Sequence, residues 1–205
     1  MTDDKPIKVI LLGESGVGKT NLIRVSIGEK FEENPLSTIT SSYCEGKIII
    51  DDKQYLYNLW DTAGQEKYRS LNRLFIKESN IILIVFSINK KTTFEQVNFW
   101  YKFAKDYLEE GTYILALIGN KSDLYEEEQV SSEEIEKKAK ELEMKYKLTS
   151  ARNDPKGFKD FLDLLLEEYI NNHNTEEYTG SISFQIGPDY EYKHNQAKKK
   201  CCMSN

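Results

Sequence analysis

The chain has 205 residues, of which 39% are hydrophobic and 30% are charged, a composition that suits one soluble globular domain with a substantial core. Its net charge of −6 at pH 7 argues against a nucleic-acid-binding protein, because proteins that neutralise phosphates are usually basic. No stretch approaches the ~18 consecutive apolar residues of a membrane-spanning helix, so the sequence predicts no such span.

The N-terminus and the cysteines bear on the compartment of the protein. Residues Met1–Pro6 contain no apolar segment, so we predict no secretory leader. Thr2 stands where N-myristoylation requires glycine, which excludes that modification. The three cysteines, Cys44, Cys201 and Cys202, form no disulfide framework, so the sequence favours an intracellular, reducing compartment.

The first predicted element is a buried strand over Ile7–Leu12, and a glycine-rich loop follows it directly. This loop, Gly13–Thr20, matches the pattern G-x-x-x-x-G-K-[ST] in full, and a helical segment over Asn21–Ile27 comes next. In such loops backbone N–H groups surround phosphate oxygens, while a lysine, here Lys19, contacts the β- and γ-phosphates. The hydroxyl of Thr20 can bind Mg²⁺. A glycine-rich turn with an incidental lysine is the alternative, and the flanking strand and helix argue against it.

A β-hairpin is predicted next. Lys47–Ile50 and Tyr55–Trp60 are its strands, and the polar segment Asp51–Gln54 is the turn between them. The second strand leads directly into Asp61, so the hairpin ends in a carboxylate that faces the phosphate loop.

The segment after this hairpin, Asp61–Glu66, carries side chains that suit nucleotide chemistry. An aspartate at a strand end that faces a phosphate loop can hold Mg²⁺, usually through water, which is the role predicted for Asp61. The N–H group of Gly64 can bind a γ-phosphate, and Gln65 can orient an attacking water. Taken alone, the sequence Asp-Thr-Ala-Gly indicates no more than a turn.

Two buried strands are predicted over Ile81–Phe86 and Tyr113–Gly119, and Asn120–Asp123 follows the second of them. This tetrapeptide therefore arrives at the same edge of the sheet as the phosphate loop. The Asp123 carboxylate can accept two N–H bonds from the N1/N2 edge of guanine, and adenine offers no matching pair of donors, so ATP is penalised. In isolation the tetrapeptide is also consistent with a surface loop.

Two helices and a short strand complete the predicted domain. A capping box over Ser131–Glu134 begins an amphipathic helix that reaches Leu142, and a strand is predicted over Lys145–Leu148. Asp154–Pro155 begins the last helix, whose apolar residues recur at helical spacing over Phe158–Tyr169. Strands that alternate with helices predict an α/β fold, with a mostly parallel six-stranded sheet and helices on both faces.

These segments, in this order and at these spacings, resemble the small GTPases of the Ras superfamily over about residues 7–171. The resemblance implies a P-loop NTPase G domain over 7–171, a short extension over 1–6 and a flexible tail over 172–205. It also implies GTP/GDP and Mg²⁺ as cofactors, with hydrolysis of GTP to GDP and phosphate. Because no arginine lies between Arg24 and Arg69, hydrolysis is expected to be slow until an activating protein supplies an arginine finger.

The resemblance implies site residues at the positions of this sequence that match the motifs of the family. Phe31 lies where the family stacks an aromatic ring on guanine, and Thr38 lies where switch I supplies a Mg²⁺ ligand and γ-phosphate sensor. The Mg²⁺ ligands that the resemblance implies are Thr20, Thr38 and Asp61, and the catalytic residues are Gln65 and Gly64. The nucleotide-binding residues that it implies are Gly13, Ser15, Gly16, Val17, Gly18, Lys19, Thr20, Phe31, Thr38, Asp61, Gly64, Asn120, Lys121, Asp123, Ser150 and Ala151.

Within the superfamily, the residues around switch II resemble the Rab subfamily. Trp60 precedes Asp61, Lys67–Leu71 follows, and Ile84–Asn89 also fits the Rab pattern. This implies a GTP/GDP switch that regulates vesicle and membrane traffic through effectors, on the cytoplasmic face of an intracellular membrane and cycling with the cytosol. Switch I, Thr38–Tyr43, lacks the glycine and acidic residue usual in Rab proteins, so a Ras-like signalling GTPase is the alternative.

Two alternatives come from other functional classes. The first is a nucleotide-dependent scaffold that does not hydrolyse GTP, and the residues Ser15, Gly64 and Gln65 argue against it. The second is a P-loop kinase or ATPase, which is disfavoured because the segment Asn120–Asp123 has no use for ATP.

The chain ends in a polar tail, in which Lys198–Lys200 precede Cys201 and Cys202 and the last three residues are Met203–Asn205. Paired terminal cysteines resemble Rab tails, in which both thiols carry geranylgeranyl groups, and two such groups suffice for stable membrane anchoring. A C-a-a-X box from Cys202 ends in Asn, which fits neither usual prenyl group, and unmodified thiols are the other alternative. The partners implied are an exchange factor, an activating protein, effectors, a prenyl-binding chaperone and a membrane, with no nucleic acid and a monomeric chain.

Overall fold

The computed structural model describes residues 5–33, 35, 38, 42–62, 75–108 and 111–173. Its strands are β1 (Ile7–Leu12), β2 (Ser42–Ile50), β3 (Lys53–Asp61), β4 (Ile81–Ser87), β5 (Ile114–Asn120) and β6 (Lys145–Leu148). They form one sheet in the order β2-β3-β1-β4-β5-β6, in which β2 and β3 are antiparallel and the other neighbours are parallel. The predicted mostly parallel six-stranded sheet is confirmed.

The two faces of the sheet bury alternate side chains of the same strand. On β1, Val9 and Leu11 belong to one apolar cluster, whereas Ile10 and Leu12 belong to the other. Because successive residues of a strand point to opposite faces, a continuous apolar run is what a sheet covered on both sides requires. The apolar runs seen in the sequence therefore reflect burial of both faces.

Helices cover both faces, as predicted. The first apolar cluster includes Leu22 and Phe158, and the second includes Phe94, Trp100 and Ile135. None of the helices in the described part of the chain is long and apolar enough to cross a bilayer. The described helices are α1 (Lys19–Ser26), α2 (Lys91–Glu95), α3 (Val97–Lys105), α4 (Ser132–Glu141) and α5 (Pro155–His173).

The predicted capping box is present at the start of α4. The Glu134 N–H group donates to the Ser131 hydroxyl at 3.3 Å, and the Ser131 N–H group donates to the Glu134 carboxylate at 3.1 Å. Each bond satisfies a backbone N–H group that the first turn of a helix leaves without an intrahelical partner.

The hairpin turn between β2 and β3 is shorter than predicted. Ile50 pairs with Lys53, so the turn contains Asp51 and Asp52 alone instead of four residues. Both aspartates have positive φ, 49° and 61°, as in the type I′ turn, whose twist matches that of the paired strands. The prediction was wrong because Lys53 and Gln54 are polar, and here polar residues form the exposed start of a strand.

The helices differ from the prediction in three places, the first of which is α1, which covers Lys19–Ser26 instead of Asn21–Ile27. Neither α2 nor α3 was predicted, although Val97, Trp100 and Ala104 are the buried residues of α3 and recur at helical spacing. In addition, α5 continues to His173, past the expected start of the tail at residue 172. The ring of His173 stacks on that of Tyr169, with centroids 4.0 Å apart, which helps to hold this last turn.

Candidate functional site

The candidate site lies outside the C-terminal ends of β1 and β4. The chain leaves β1 through α1 towards β2 on one side, whereas β4, β5 and β6 lie on the other side, so the strand order reverses here. Open α/β sheets bind ligands in the crevice at such a reversal, and a cavity of about 430 Å³ lies there. The predicted site residues that line it are Ser15, Gly16, Gly18, Lys19, Thr20, Phe31, Thr38, Asn120, Lys121, Asp123 and Ala151.

Other predicted site residues lie behind the lining. Val17 is buried in the core, and Gly13 packs so closely on β4 that a Cβ atom there would lie 2.1 Å from the Val85 carbonyl oxygen. Asp61 and Ser150 hydrogen-bond to residues that line the cavity. The predicted residues outside the described part of the chain are Gly64, Gln65, Cys201 and Cys202.

The last glycine of the phosphate loop is required by both conformation and space. Gly18 has a φ of 97°, in the left-handed region, and it directly precedes α1. A Cβ atom at this position would lie 2.4 Å from Nδ2 of Asn120. The loop therefore brings the N-terminus of α1, with Lys19 and Thr20, to the wall of the cavity. A helix N-terminus attracts anions, because its first N–H groups have no intrahelical partner.

Lys19 places a buried ammonium group in this loop. Its Nζ atom donates to the carbonyl oxygens of Gly13 at 2.8 Å and of Glu14 at 3.0 Å. Burial lowers the pKa of Lys19 to about 8, although the carboxylates of Asp61 and Glu14 act in the opposite direction. A buried cation is stabilised by an anionic partner, and a phosphate group would provide one.

Three side-chain oxygens meet close to Lys19. The hydroxyls of Thr20 and Thr38 donate to Oδ2 of Asp61 at 2.8 Å and 3.1 Å, and they lie 3.1 Å from each other. Burial raises the pKa of Asp61, and its Oδ1 atom has no hydrogen-bond partner among the described residues. Mg²⁺ prefers oxygen ligands and is commonly held by one or two carboxylates together with substrate phosphates. These residues therefore fit a Mg²⁺ ion.

The loops after β5 and β6 form the other end of the cavity. The Ser150 hydroxyl donates to Oδ1 of Asp123 at 2.5 Å, which fixes the carboxylate. The buried Asn120 amide donates to the Val17 carbonyl at 2.8 Å, and its oxygen accepts from the Thr149 hydroxyl at 3.3 Å. Asn120 thus joins the phosphate loop to the loops after β5 and β6. A fixed carboxylate accepts hydrogen bonds only, which suits the paired N–H groups of guanine.

One ion pair at the cavity was not predicted from the sequence. Nη2 of Arg152 lies 2.7 Å from Oε1 of Glu33, and both residues line the cavity. The guanidinium carbon of Arg152 also lies 5.7 Å from the centre of the Phe31 ring. No local pattern indicates this contact, because 119 positions separate the paired residues.

Comparison with known proteins identifies the family. The profile of the Ras family matches residues 8–171. The Ras-related protein Rab-21 of Rattus norvegicus is 33% identical over 96% of this chain and 92% of its own length. Rab-21 of Canis lupus familiaris is 37% identical, again over 96% of this chain and 92% of its own length. Rab-21 of Bos taurus is 37% identical over 88% of this chain and 81% of its own length. These relatives favour the Rab-like interpretation over the Ras-like signalling alternative. The chain therefore belongs to the Ras family, as a Rab-like small GTPase that binds guanine nucleotides and hydrolyses GTP.

Proposed function

We propose that the protein is a GTP/GDP switch that regulates intracellular vesicle and membrane traffic by recruiting effectors. Similarity to a Rab protein over 96% of the chain supports a role in traffic. The proposal depends above all on one observation, the convergence at one cavity of an ammonium group, a three-oxygen cluster and a fixed carboxylate. These groups match the phosphates, the metal ion and the base of a magnesium–guanine nucleotide.

Each group has a separate task in this proposal. The Lys19 ammonium stabilises the negative charge of the β- and γ-phosphates, and Thr20, Thr38 and Asp61 are the residues that would hold Mg²⁺. When bound, this ion neutralises phosphate charge. Asp123 selects guanine by accepting hydrogen bonds from N1 and N2 of the base, which packs on Phe31.

The switch itself depends on contacts to the γ-phosphate. Thr38 and Gly64 contact this phosphate in the GTP form, so that both segments are ordered for effectors to bind. Hydrolysis removes the contacts and releases the segments, and Gln65 orients the water that attacks. As in the rest of the family, an exchange factor reloads GTP and an activating protein accelerates its hydrolysis.

The nucleotide that copurifies with the full-length protein tests this proposal directly. We expect GDP or GTP together with Mg²⁺, identified by chromatography of the released nucleotide and by metal analysis. We also expect single-turnover conversion of bound GTP to GDP. Protein that contains no nucleotide and prefers ATP over GTP would contradict the proposal.

Replacing Gln65 by Leu should separate binding from hydrolysis. The leucine side chain cannot orient a water molecule, so single-turnover GTP hydrolysis should fall by about 10²-fold, while GTP affinity changes by less than about threefold. A matched control is Gln54→Leu on the exposed hairpin, which lies outside the cavity and should hydrolyse GTP at the original rate. Equal hydrolysis rates in the two variants would exclude Gln65 from the reaction.

We further propose that residues 1–6 are a short extension, that the G domain extends from residue 7 to the end of α5 at His173, and that the residues from there to 205 are a tail for membrane attachment. In this proposal Cys201 and Cys202 carry geranylgeranyl groups, which a prenyl-binding chaperone shields in the cytosol. Lys198–Lys200 add about 1 kcal/mol each near an anionic leaflet. The attached protein then resides on the cytoplasmic face of an intracellular membrane.

Changing Cys201 and Cys202 together to Ser should therefore give a cytosolic protein. Two lipid groups are needed for stable anchoring, so we expect at least a tenfold lower membrane fraction after cell fractionation. The matched control is Cys44→Ser, which removes the third cysteine, a half-buried residue of β2, and should keep the membrane fraction. If the double variant stays on membranes, the tail is not the anchor.

A further inference from the structure

The phosphate loop contains a carboxylate that does not face the cavity. Glu14 is the second residue of Gly13–Thr20, yet it is absent from the lining, whereas its neighbours Ser15 and Gly16 are part of it. The charge of Glu14 is close enough to the Lys19 ammonium to raise the pKa of that group. A carboxylate so near to a phosphate-binding loop repels a bound nucleotide unless its position is controlled.

Trp100 of α3 provides that control. Its indole Nε1–H donates to Oε1 of Glu14 at 3.0 Å, and 86 positions separate the two residues. The Trp100 side chain is only 1% exposed. It packs edge-on against Phe99 and Phe103, with ring centroids 5.3 Å and 5.8 Å away. The indole N–H group therefore reaches the phosphate loop from a rigid position in the core.

An indole is well suited to holding a carboxylate beside a phosphate site. It is a donor only, so the direction of the hydrogen bond is unambiguous. It also carries no charge, whereas a lysine or arginine in the same place would attract the phosphates away from Lys19. The backbone carbonyl of Glu14 accepts a hydrogen bond from the Lys19 ammonium at 3.0 Å. Fixing Glu14 therefore also fixes one of the two carbonyl groups that hold Lys19.

We propose that Trp100 is a positioning residue for nucleotide binding: its indole N–H group holds the Glu14 carboxylate against α3 and away from the phosphates of the nucleotide. This inference rests on the proposed role of Gly13–Thr20 as the phosphate-binding loop. It adds a residue on α3, outside every motif of the site, to the groups that determine how long the nucleotide stays bound. It also implies that the Glu14 carboxylate would weaken nucleotide binding by charge repulsion if Trp100 did not hold it away from the phosphates.

The inference is tested by a double-mutant cycle on Trp100→Phe and Glu14→Gln in the full-length protein. The readout is the dissociation rate of a fluorescent GDP in the presence of Mg²⁺. Phenylalanine keeps the aromatic packing but removes the indole N–H donor to the Glu14 carboxylate, so Trp100→Phe should release GDP about tenfold faster. Glu14→Gln removes the charge, so the double variant should release GDP at a rate within about threefold of the unsubstituted protein.

A loss of packing alone predicts a different outcome. Val97→Ala shortens a side chain that is 1% exposed on the same helix, one turn before Trp100, and serves as the control for packing. Its effect on GDP release should be the same with Glu or Gln at position 14. If the effect of Trp100→Phe is also independent of Glu14, or if GDP release does not accelerate, the inference is wrong.

A second pair of variants decides the question if Trp100→Phe does not fold. Glu14→Asp retains the charge but is one methylene too short for the indole, so it should release GDP several-fold faster than Glu14→Gln. Equal rates for these two variants would overturn the inference. Failure of the proposed function is a separate result, because in that case the unsubstituted protein binds no fluorescent GDP.

Discussion

Replacing Asp123 by Asn is expected to lower the affinity for GTP by roughly 10⁴-fold. The reason is that the amide places an N–H group opposite the N–H groups at N1 and N2 of guanine, where the carboxylate offers only acceptors. In the structure the Ser150 hydroxyl donates to Oδ1 of Asp123 at 2.5 Å, and Ser150 is itself buried. This bond fixes the carboxylate, so its lone pairs cannot turn away from a mismatched base. An amide at this position should instead prefer xanthosine triphosphate, which has an oxygen acceptor at position 2.

Competition titrations of fluorescent GDP with GTP, xanthosine triphosphate and ATP measure this change. A suitable control is Asp154→Asn, four residues after Ser150. Asp154 accepts a hydrogen bond from the Gly157 N–H group at 2.9 Å at the start of α5, and it lies outside the cavity. The control should keep the preference for guanine and lose about 1 kcal/mol of stability at most. Undiminished GTP affinity in Asp123→Asn would disprove the assignment of the base site.

The elements that were predicted correctly are those with strong local patterns. The apolar run over Ile7–Leu12 matches β1 in full, and the Ser131 capping box marks the start of α4. Where secondary structure does not follow local polarity, prediction was less successful. Lys53 and Gln54 are polar but belong to β3, because one end of this hairpin is exposed and tolerates any side chain that suits a strand.

The candidate site was predictable to the extent that its residues belong to short motifs. Asp61 is the last residue of β3, and Lys19 and Asp123 lie in segments that follow β1 and β5. These three strands end at the same edge of the sheet, so the topology brings the three residues together. The contacts between Glu33 and Arg152 and between Glu14 and Trp100 have no such signal. The first contact joins residues 119 positions apart and the second joins residues 86 positions apart. Both contacts depend on how helices and loops pack together, which no local pattern reveals.

Replacing Lys19 by Met should have opposite effects on the nucleotide-free and nucleotide-bound protein. The Lys19 side chain is 5% exposed, and burial lowers its pKa to about 8, so the ammonium group destabilises the protein when no phosphate is bound. Methionine has a similar, unbranched shape and no charge to desolvate. We therefore expect the nucleotide-free protein to gain about 1–3 kcal/mol of unfolding free energy.

The same substitution removes the cation that a bound phosphate needs. Loss of one partner from a buried charge pair costs about 3–5 kcal/mol, which corresponds to a roughly 10²–10⁴-fold loss of GDP affinity. Denaturant unfolding with and without GDP measures both effects, since a given GDP concentration should stabilise Lys19→Met much less than the unsubstituted protein. Lys8→Met is the matched control, because burial also lowers the pKa of Lys8, which lies near the other end of β1. Lys8→Met should alter stability but retain the stabilisation by GDP. A lower stability of nucleotide-free Lys19→Met would contradict this prediction. It would mean that the ammonium group stabilises the fold itself and does not serve only to bind a phosphate.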